Sequence, residues 1–331
     1  MKTGSAFSLE VLELDAPKVT GQIEATIREL VFRRLRRKGA VVAISGGIDS
    51  SVTAAMCARA LGRERVFGLF LPEKDSSDDS LRLGKLLADS LGIESRIENI
   101  GPILEAAGCY RRRDEAIRAV LPEYGEGYKC KIALPDSLES AGYPVYSVVA
   151  QPPKGPEIRA RLTPQALLAV VAATNFKQRT RKMMEYHYAD LFQYAVAGTP
   201  NRLEYDQGFF VKLGDGAADL KPIAHLYKSQ VYQLAAFLQI PEEILRRPPT
   251  TDTYSLEQSQ EEFYFSLPYE KMDLCLYAKN HSVPAEEVAS AMGLPADKVE
   301  RIFRMIDAKR AATTYLHMGP LLIEPIPEIH I

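Results

Sequence analysis

The sequence predicts an α/β protein with a doubly wound parallel sheet, an inserted lid-like segment and a helical carboxyl-terminal tail. Short apolar segments alternate with helical segments between residues 22 and 100. This alternation is typical of parallel sheets covered by helices on both faces. In such a sheet ligands bind beyond the carboxyl ends of the strands, so the loops that follow the strands are the first candidates for a site.

The amino-terminal part has the clearest periodicity. From Gln22 apolar residues recur at helical spacing, and the predicted helix ends in the cationic run 33–38 before Gly39. Cations in a last turn complement the helix dipole, so we interpret this run as a helix end rather than an anion site. The elements that follow are a strand at Val41–Ile44, a helix ending at Leu61, a strand at Val66–Leu71, a helix at Ser80–Leu91 and a strand at Ser95–Ile100.

Residues 101–163 break this regularity. They mix glycine- and tyrosine-rich turns with a basic cluster, and we interpret them as a partly ordered insertion or lid. The later elements are a helix at Pro164–Tyr188, a strand at Gln193–Ala197, a helix at Lys228–Leu238 and a helical tail from Tyr269, on which Val299, Ile302, Phe303 and Ile306 mark one apolar face. We expect an extension at residues 1–20, one domain at residues 21–312 and a tail at residues 313–331.

Composition excludes several classes of function. The chain has 331 residues, and its 41 Lys and Arg against 43 Asp and Glu give a net charge of −2. This balance argues against a nucleic-acid-binding protein that relies on overall positive charge. Its longest apolar run, Ala166–Thr174, is far shorter than the ~20 residues of a membrane-spanning helix. Residues 1–15 lack the apolar core of a signal peptide, so we expect no secretory signal there. Four scattered cysteines without a CxxC pair disfavour a disulfide framework or a zinc site and favour a reducing cytoplasm.

The segment Ser45-Gly46-Gly47-Ile48-Asp49-Ser50-Ser51 directly follows an apolar strand and opens a helix. In this context main-chain amides bind phosphate, two glycines allow close approach, and the serines add hydroxyl donors. A carboxylate would repel a bare phosphate, so we interpret Asp49 as a ligand of Mg²⁺ carried by a polyphosphate. The absence of GxxxxGK[ST] excludes a P-loop kinase or GTPase, and the absence of GxGxxG disfavours hydride transfer.

This loop resembles the pyrophosphate loop of the N-type ATP pyrophosphatases. That superfamily has an adenine nucleotide alpha hydrolase-like, Rossmann-like fold, and its members cleave ATP between the α- and β-phosphates to adenylate a substrate. Downstream motifs resemble NAD synthetases of the ammonia-dependent type. They read RTRKM at residues 179–183, GTPNRLE at 198–204, GFFVKLGDGAAD at 208–219, PI and LYK within 222–228, and PPTTD at 248–252. The resemblance covers residues 22–100 and 164–312.

The resemblance implies roles for the matching positions. ATP would be held by Ala43, Ile44, Ser45, Gly46, Gly47, Ile48, Asp49, Ser50, Thr199, Thr250 and Lys228. Mg²⁺ would be held by Asp49 and Glu204, and deamido-NAD by Arg179, Lys212 and Asp219. Adenylation would depend on Ser45, Asp49 and Lys228. The family further implies a homodimer with deamido-NAD near the subunit boundary.

Residue chemistry agrees with this assignment. A carboxylate is a poor electrophile, so its amidation requires a mixed anhydride with AMP. Cations must then face the leaving pyrophosphate, and two Mg²⁺ ions with a lysine are sufficient in principle. No protein nucleophile is needed, which agrees with the lack of a Ser/His/Asp or Cys/His constellation and with five scattered histidines.

The sequence departs from the family pattern on the side of the acid substrate. The region of the family's carboxyl-terminal His-Lys pair reads TTYLHMG at residues 313–319, without that lysine. Gln258-Ser259-Gln260-Glu261 replaces a Gln-Thr-Asp-Glu stretch, and Val211 replaces a threonine. The segment 101–163 is also long for a minimal member. A paralogue that adenylates and amidates another carboxylate is therefore an alternative.

The nitrogen source can also be predicted. Residue 2 is Lys, no cysteine lies near the amino terminus, and no long second domain could house a glutaminase. We therefore expect direct use of ammonia, or of ammonia delivered by a separate glutaminase.

Parts of the sequence also resemble two other classes of protein. A helix-turn-helix regulator is conceivable from Ser282–Pro295, but Asp297 and Glu300 beside Lys298 and Arg301 give little attraction for a phosphate backbone. A tRNA-modifying ATP pyrophosphatase would use a nucleophilic cysteine, and Cys109 and Cys130 lie near the basic run Arg111–Arg113.

Overall fold

The fold is centred on a four-stranded parallel sheet. The computed structural model describes residues 7–134, 146–250, 253–259, 264–265 and 267–329. The sheet has the order β3-β2-β1-β7, with strands β1 (Ala40–Ala43), β2 (Val66–Phe70), β3 (Glu94–Ile97) and β7 (Ala195–Val196). Ala40 pairs with Val66 on one side and with Ala195 on the other. The predicted parallel sheet is therefore confirmed.

Helices cover both faces of this sheet. Alternate residues of β1 point to opposite sides of the sheet. Ala40 and Val42 pack in one apolar core, together with Ile27, whereas Val41 packs in another, together with Tyr188. The helices are α1 (Ala16–Arg28), α2 (Ile48–Leu61), α3 (Asp78–Leu91), α4 (Gly101–Ala106), α5 (Cys109–Arg118), α6 (Pro164–Phe192), α7 (Arg202–Gln207), α8 (Lys228–Phe237), α9 (Glu242–Leu245), α10 (Tyr269–Asn280), α11 (Ala285–Met292) and α12 (Ala296–His317). The doubly wound arrangement is thus confirmed.

The first helix begins six residues earlier than predicted, at Ala16. Asp15 Oδ1 accepts the amide of Lys18 at 3.1 Å, and Pro17 lies in the first turn, where its missing N–H costs nothing. The sequence pattern missed this start because the apolar face begins only after the cap. The cationic run begins in the last turn of a π-helical segment at Glu29–Arg34, as expected of a helix end.

The segment 101–163 is more ordered than predicted. Besides α4 and α5 it contains strands β4 (Lys129–Ala133), β5 (Ser147–Gln151) and β6 (Ile158–Arg161), which form an antiparallel sheet in the order β4-β5-β6. Residues 135–145 lie outside the described residues. The sheet has its own apolar core with the start of α6. The expectation of irregular structure there was wrong.

A short segment after Thr250 lies along β4. The Cys130 amide donates to Ser255 Oγ at 2.9 Å, and the Leu256 amide donates to the Cys130 carbonyl at 3.1 Å. Gln258 Nε2 donates to the carbonyl of Ile132 at 2.6 Å. The part of the motif at residues 251–252 and the predicted stretch 260–261 lie outside the described residues.

The carboxyl-terminal region is helical, as predicted. Helices α10, α11 and α12 form a second apolar core, and Val299, Ile302 and Ile306 are fully buried in it. None of the helices described in the structure is long and apolar enough to cross a membrane. The division of the chain into an extension, one domain and a tail stays a prediction.

Candidate active site

The phosphate loop connects β1 to α2 in the predicted way. Gly46 has φ +75°, and a Cβ added there would lie 2.5 Å from the Ser80 carbonyl oxygen, so glycine is required by both conformation and space. Gly47 is the N-cap of α2 and has no side chain to accept the amides of the first turn. The amino terminus of α2 therefore presents its amides at the carboxyl edge of the sheet, where an anion can accept them.

The serine hydroxyls shape this loop. Ser50 Oγ accepts the Ser45 amide at 3.2 Å and donates to the Gly47 carbonyl at 3.0 Å. Ser51 Oγ donates to the same carbonyl at 2.9 Å, and Ser45 Oγ accepts the Gly47 amide at 3.3 Å. These bonds hold the bend in position.

Asp49 is held by two side chains from other parts of the chain. Its Oδ2 is ion-paired with Nζ of Lys228, and its Oδ1 accepts Nδ2 of Asn201 at 3.0 Å. The Lys228 side chain is 2% exposed and that of Asp49 is 15% exposed. The structure thus brings together two of the residues predicted from widely separated motifs, and it adds Asn201 to them.

Asn201 links this pair to Glu204. It is the N-cap of α7, its Oδ1 accepts the Glu204 amide, and its own amide donates to Glu204 Oε2, both at 3.2 Å. This reciprocal arrangement is a capping box. Asn201 was not among the predicted site residues, although Asn-x-x-Glu before a helix is a capping-box pattern that marks it.

Lys228 is the first residue of α8, and its position depends on a buried carboxylate of α10. Asp273 accepts the Lys228 amide at 3.2 Å and the Ser229 amide and hydroxyl at 2.7 Å. Burial raises the pKa of Asp273 to about 6, and the hydrogen bonds from Ser229 and Lys228 oppose that rise. Asp273 was not predicted, because no local sequence pattern marks a capping residue that lies 45 positions further along the chain.

The charge of Lys228 is stabilised by its surroundings. Burial disfavours the charged ammonium, but the neighbouring carboxylates of Asp49 and Glu204 outweigh this effect and raise the pKa of Lys228 above its ordinary value. A buried, permanently charged ammonium beside the amino terminus of α2 can stabilise negative charge that develops on a leaving phosphate.

The donor set near Lys228 suits magnesium. Asp49 and Glu204 supply carboxylate oxygens, which Mg²⁺ prefers, and Asn201 fixes both residues. Within the described ranges no cluster of three or more acidic, His or Cys side chains forms a cage for a metal. Mg²⁺ typically binds one or two carboxylates and completes its shell with water and substrate phosphates, so this donor set fits a magnesium ion that arrives with a nucleotide.

Three residues predicted to hold deamido-NAD lie in or beside the segment 209–221. Nε of Arg179, on α6, donates to the carbonyl of Lys212 at 3.3 Å. Lys212 Nζ donates to the carbonyls of Tyr315 at 2.6 Å and Met318 at 2.8 Å, at the end of α12. Asp219 Oδ2 accepts the Val196 amide of β7 at 2.7 Å. Arg179 and Lys212 are therefore neighbours, and Asp219 is partly committed to the sheet.

The two threonines predicted to contact ATP lie in different parts of the fold. Thr199 lies in the loop after β7, two residues before Asn201. Thr250 forms an isolated antiparallel bridge with Ser259, at the start of the segment that lies along β4. The structure brings Thr199 to the phosphate-loop edge of the sheet, whereas Thr250 comes from the side of the antiparallel sheet.

The cysteines do not form a reactive site. All four are buried and unpaired. Burial raises the pKa of Cys109 to about 11 and also raises the pKa of Cys130. Because the thiolate is the nucleophile, these environments disfavour the sulfur-transfer alternative.

Comparison with known proteins identifies relatives of this arrangement. The sequence model of the family described as NAD synthase matches residues 19–119 and 156–312. The chain is 56% identical to an NH(3)-dependent NAD(+) synthetase of Rhizobium meliloti (strain 1021) over 323 residues, 98% of this chain and 96% of that protein. A protein of the same name from Thermotoga maritima is 36% identical over 274 residues, 82% of this chain and 88% of its own length.

Solved structures are similar in fold. An NH3-dependent NAD synthetase from Campylobacter jejuni superposes with a TM-score of 0.62 at 24% identity, covering 94% of this chain and 100% of that one. An NMN synthetase from Francisella tularensis gives a TM-score of 0.63 at 21% identity, covering 94% and 99%. At these identities the structural likeness concerns the fold alone.

Proposed function

Since the chain belongs to the NAD synthase family, we propose that it catalyses the ATP-dependent amidation of deamido-NAD to NAD⁺ with ammonia. The observation that carries the proposal is the buried pair of Lys228 and Asp49 at the amino terminus of α2. It joins the phosphate loop to the lysine that the family motif places on the leaving pyrophosphate. The alternative acid is disfavoured, because a relative 56% identical over almost the whole chain is named for NAD⁺ synthesis.

The first step forms a mixed anhydride. A carboxylate oxygen of the acid attacks the α-phosphorus of ATP, the bond from that phosphorus to the bridging oxygen of the β-phosphate breaks, and pyrophosphate leaves. Amides of the α2 amino terminus and the Lys228 ammonium face the charge that builds on pyrophosphate. Residues 43–50 hold the triphosphate, and the hydroxyls of Ser45 and the other loop serines maintain the conformation of this loop. Thr199 and Thr250 contact the nucleotide from two sides.

The second step releases AMP. Ammonia attacks the acyl carbon, the bond to the AMP oxygen breaks, and one proton of the ammonia nitrogen is lost to give the amide. Arg179, Lys212 and Asp219 hold the acid in this proposal, and Arg179 and Lys212 are already in contact.

Asp49 and Glu204 would hold Mg²⁺ through their carboxylates, with Asn201 fixing both. When bound with the triphosphate, the metal supplies Lewis-acid stabilisation of the departing pyrophosphate. Removal of Mg²⁺ with a chelator is expected to abolish AMP formation, and restoration of Mg²⁺ is expected to recover it.

The cellular setting is also a proposal. Four free, buried cysteines are compatible with a reducing cytoplasm. We further propose a homodimer, to be tested by light scattering, and a separate glutaminase as one source of ammonia in the cell.

A reconstituted assay tests the function. Purified protein receives deamido-NAD, ATP, Mg²⁺ and ammonium, and NAD⁺, AMP and pyrophosphate are quantified with each component omitted in turn. Equal yields of NAD⁺, AMP and pyrophosphate are expected with ammonium, and little NAD⁺ with glutamine alone. Formation of ADP in place of AMP, or equal rates from glutamine with the pure protein, would contradict the proposal.

A further inference from the structure

Lys221 lies at the carboxyl edge of the sheet beside the loop that follows β7. Leu220 forms a parallel bridge with Ala197, and the Gly198 amide donates to the Leu220 carbonyl at 2.8 Å. A Cβ added to Gly198 would lie 3.2 Å from Cγ of Lys221. The aliphatic stem of Lys221 therefore packs on Gly198, one residue before Thr199.

The ammonium of Lys221 rests on an aromatic ring. Its Nζ lies 4.9 Å from the centroid of the Tyr205 ring, and Tyr205 is the residue after Glu204 on α7. His317 meets the Tyr205 ring edge-on at 4.8 Å and the Phe210 ring edge-on at 5.1 Å between centroids. A cation and two aromatic rings thus form one surface between the phosphate side and the end of α12.

The ammonium of Lys221 has no direct anionic partner in the part of the chain that the structure describes. No side chain of those residues forms a hydrogen bond or an ion pair with it. Burial, and then the charge of Lys182, lower the pKa of Lys221, while Asp215 opposes them weakly. Apart from the charge of Asp215, which makes no direct contact, this half-buried ammonium is compensated by a ring face, so an anion that enters the site would stabilise it.

We propose that Lys221 binds the carboxylate of the acid substrate and so distinguishes the acid from its amide product. A planar aromatic carboxylate suits this surface, because its ring can pack against Tyr205 and Phe210 while its charge faces the ammonium. The triphosphate already has the loop amides and Lys228 at the other end of α7. The inference rests on the proposed function and names the residue that recognises the reacting group.

Binding of deamido-NAD and NAD⁺ in the absence of ATP tests this inference, because the two ligands differ only in carboxylate against carboxamide. In calorimetry, Lys221→Met is expected to weaken deamido-NAD binding about tenfold and to leave NAD⁺ binding within about twofold. In turnover, its KM for deamido-NAD should rise about tenfold and its KM for ATP should stay within about twofold. Lys221→Gln, which also lacks the charge, should behave in the same way, and Lys221→Arg should recover part of the affinity.

The control is Lys279→Met, which removes another lysine that lies over an aromatic ring, 5.4 Å from the Phe303 centroid. Lys279 belongs to α10 and pairs with Asp307 of α12 at 2.7 Å. This variant should leave all these constants unchanged. Equal loss of affinity for acid and amide, or a rise in the KM for ATP alone, would overturn the assignment of Lys221. If the wild-type protein makes no NAD⁺, the proposed function fails instead, whereas wild-type turnover with unchanged Lys221 variants rejects only this inference.

Discussion

The ammonium of Lys228 and the carboxylate of Asp49 form a buried ion pair across 179 positions of sequence. One partner lies in the first turn of α2 and the other opens α8. Because both helices begin at the same edge of the sheet, the pair fixes a positive charge beside the amides that would receive phosphate. Removing one partner of a buried pair leaves the other without compensation, so stability depends on the pair, and under the proposed function the rate of adenylation does as well.

Lys228→Ala is expected to lower the rate of pyrophosphate release by about 10²–10³-fold, because one preorganised donor to the leaving group is lost. The measurement is continuous detection of pyrophosphate with saturating deamido-NAD, ATP and ammonium, below the unfolding temperature of the variant. Lys228→Arg, which keeps a charge, should retain more activity. Similar rates in the alanine variant and the wild type would remove Lys228 from the mechanism.

Asp49→Asn is expected to raise the Mg²⁺ concentration for half-maximal AMP formation and to lower the maximal rate severely, because the amide is a weaker magnesium ligand than the carboxylate. The measurement is a Mg²⁺ titration at fixed ATP. Asp79→Asn serves as the control, since it changes an exposed acid on α3 that pairs with Arg82 at 2.7 Å. An unchanged Mg²⁺ dependence in Asp49→Asn would contradict the role of this carboxylate.

Asn201→Ala removes the cap of α7 and the amide donor to Asp49. We expect a loss of about 1 kcal/mol in the free energy of unfolding, the usual value of an N-cap, and a fall in kcat as well. Denaturant unfolding and turnover measure the two effects. In Thr163→Ala, which removes the cap of α6 on the Ala166 amide at 3.1 Å, only stability should fall. Equal activity of the two variants would show that Asn201 acts as a cap alone.

Asp273 should make stability depend on pH. Because burial raises its pKa from 3.8 to about 6, the folded state binds more protons between these values, and the free energy of unfolding falls as pH rises through this window. The free energy of unfolding decreases by up to about 3 kcal/mol across this pH window and stays lower at higher pH. Denaturant titrations between pH 4 and 7 should show this slope in the wild type and not in Asp273→Asn. Parallel profiles would assign the pH dependence to other groups.

Arg179→Ala is expected to raise the KM for deamido-NAD more than the KM for ATP, because Arg179 lies against Lys212 on the acid side. Steady-state kinetics with each substrate varied in turn provide both constants. The exposed Arg304 of α12, paired only with Glu300 at 3.4 Å among described ion pairs, gives the control variant Arg304→Ala. An unchanged KM for deamido-NAD would count against Arg179.

Local patterns allowed much of the fold to be predicted. Strands β1 and β2 are short apolar runs without helical periodicity, so they were predicted. The phosphate loop was predicted as well, because its residues are contiguous in sequence. β7 pairs through only two residues, fewer than the five predicted. The antiparallel sheet was missed because its strands carry exposed charged residues such as Lys129, Arg159 and Arg161, which hide the apolar face.

The site was predicted where a motif is contiguous and missed where residues meet only in three dimensions. Asp49, Glu204 and Lys228 belong to motifs, and the structure gathers them around Asn201. Asp273 and Lys221 carry no such mark. Asp273 caps α8 from a distant segment of the chain. Lys221 is notable only because its ammonium lies over the ring of Tyr205 in the folded structure.

The segment that follows Thr250 is fastened to β4 by three hydrogen bonds, from Cys130, Leu256 and Gln258. Together with the bridge between Thr250 and Ser259, these bonds couple the position of Thr250 to β4. A displacement of β4 would therefore displace Thr250 as well. The phosphate loop has its own hydrogen bonds within residues 45–51, so its shape does not depend on β4.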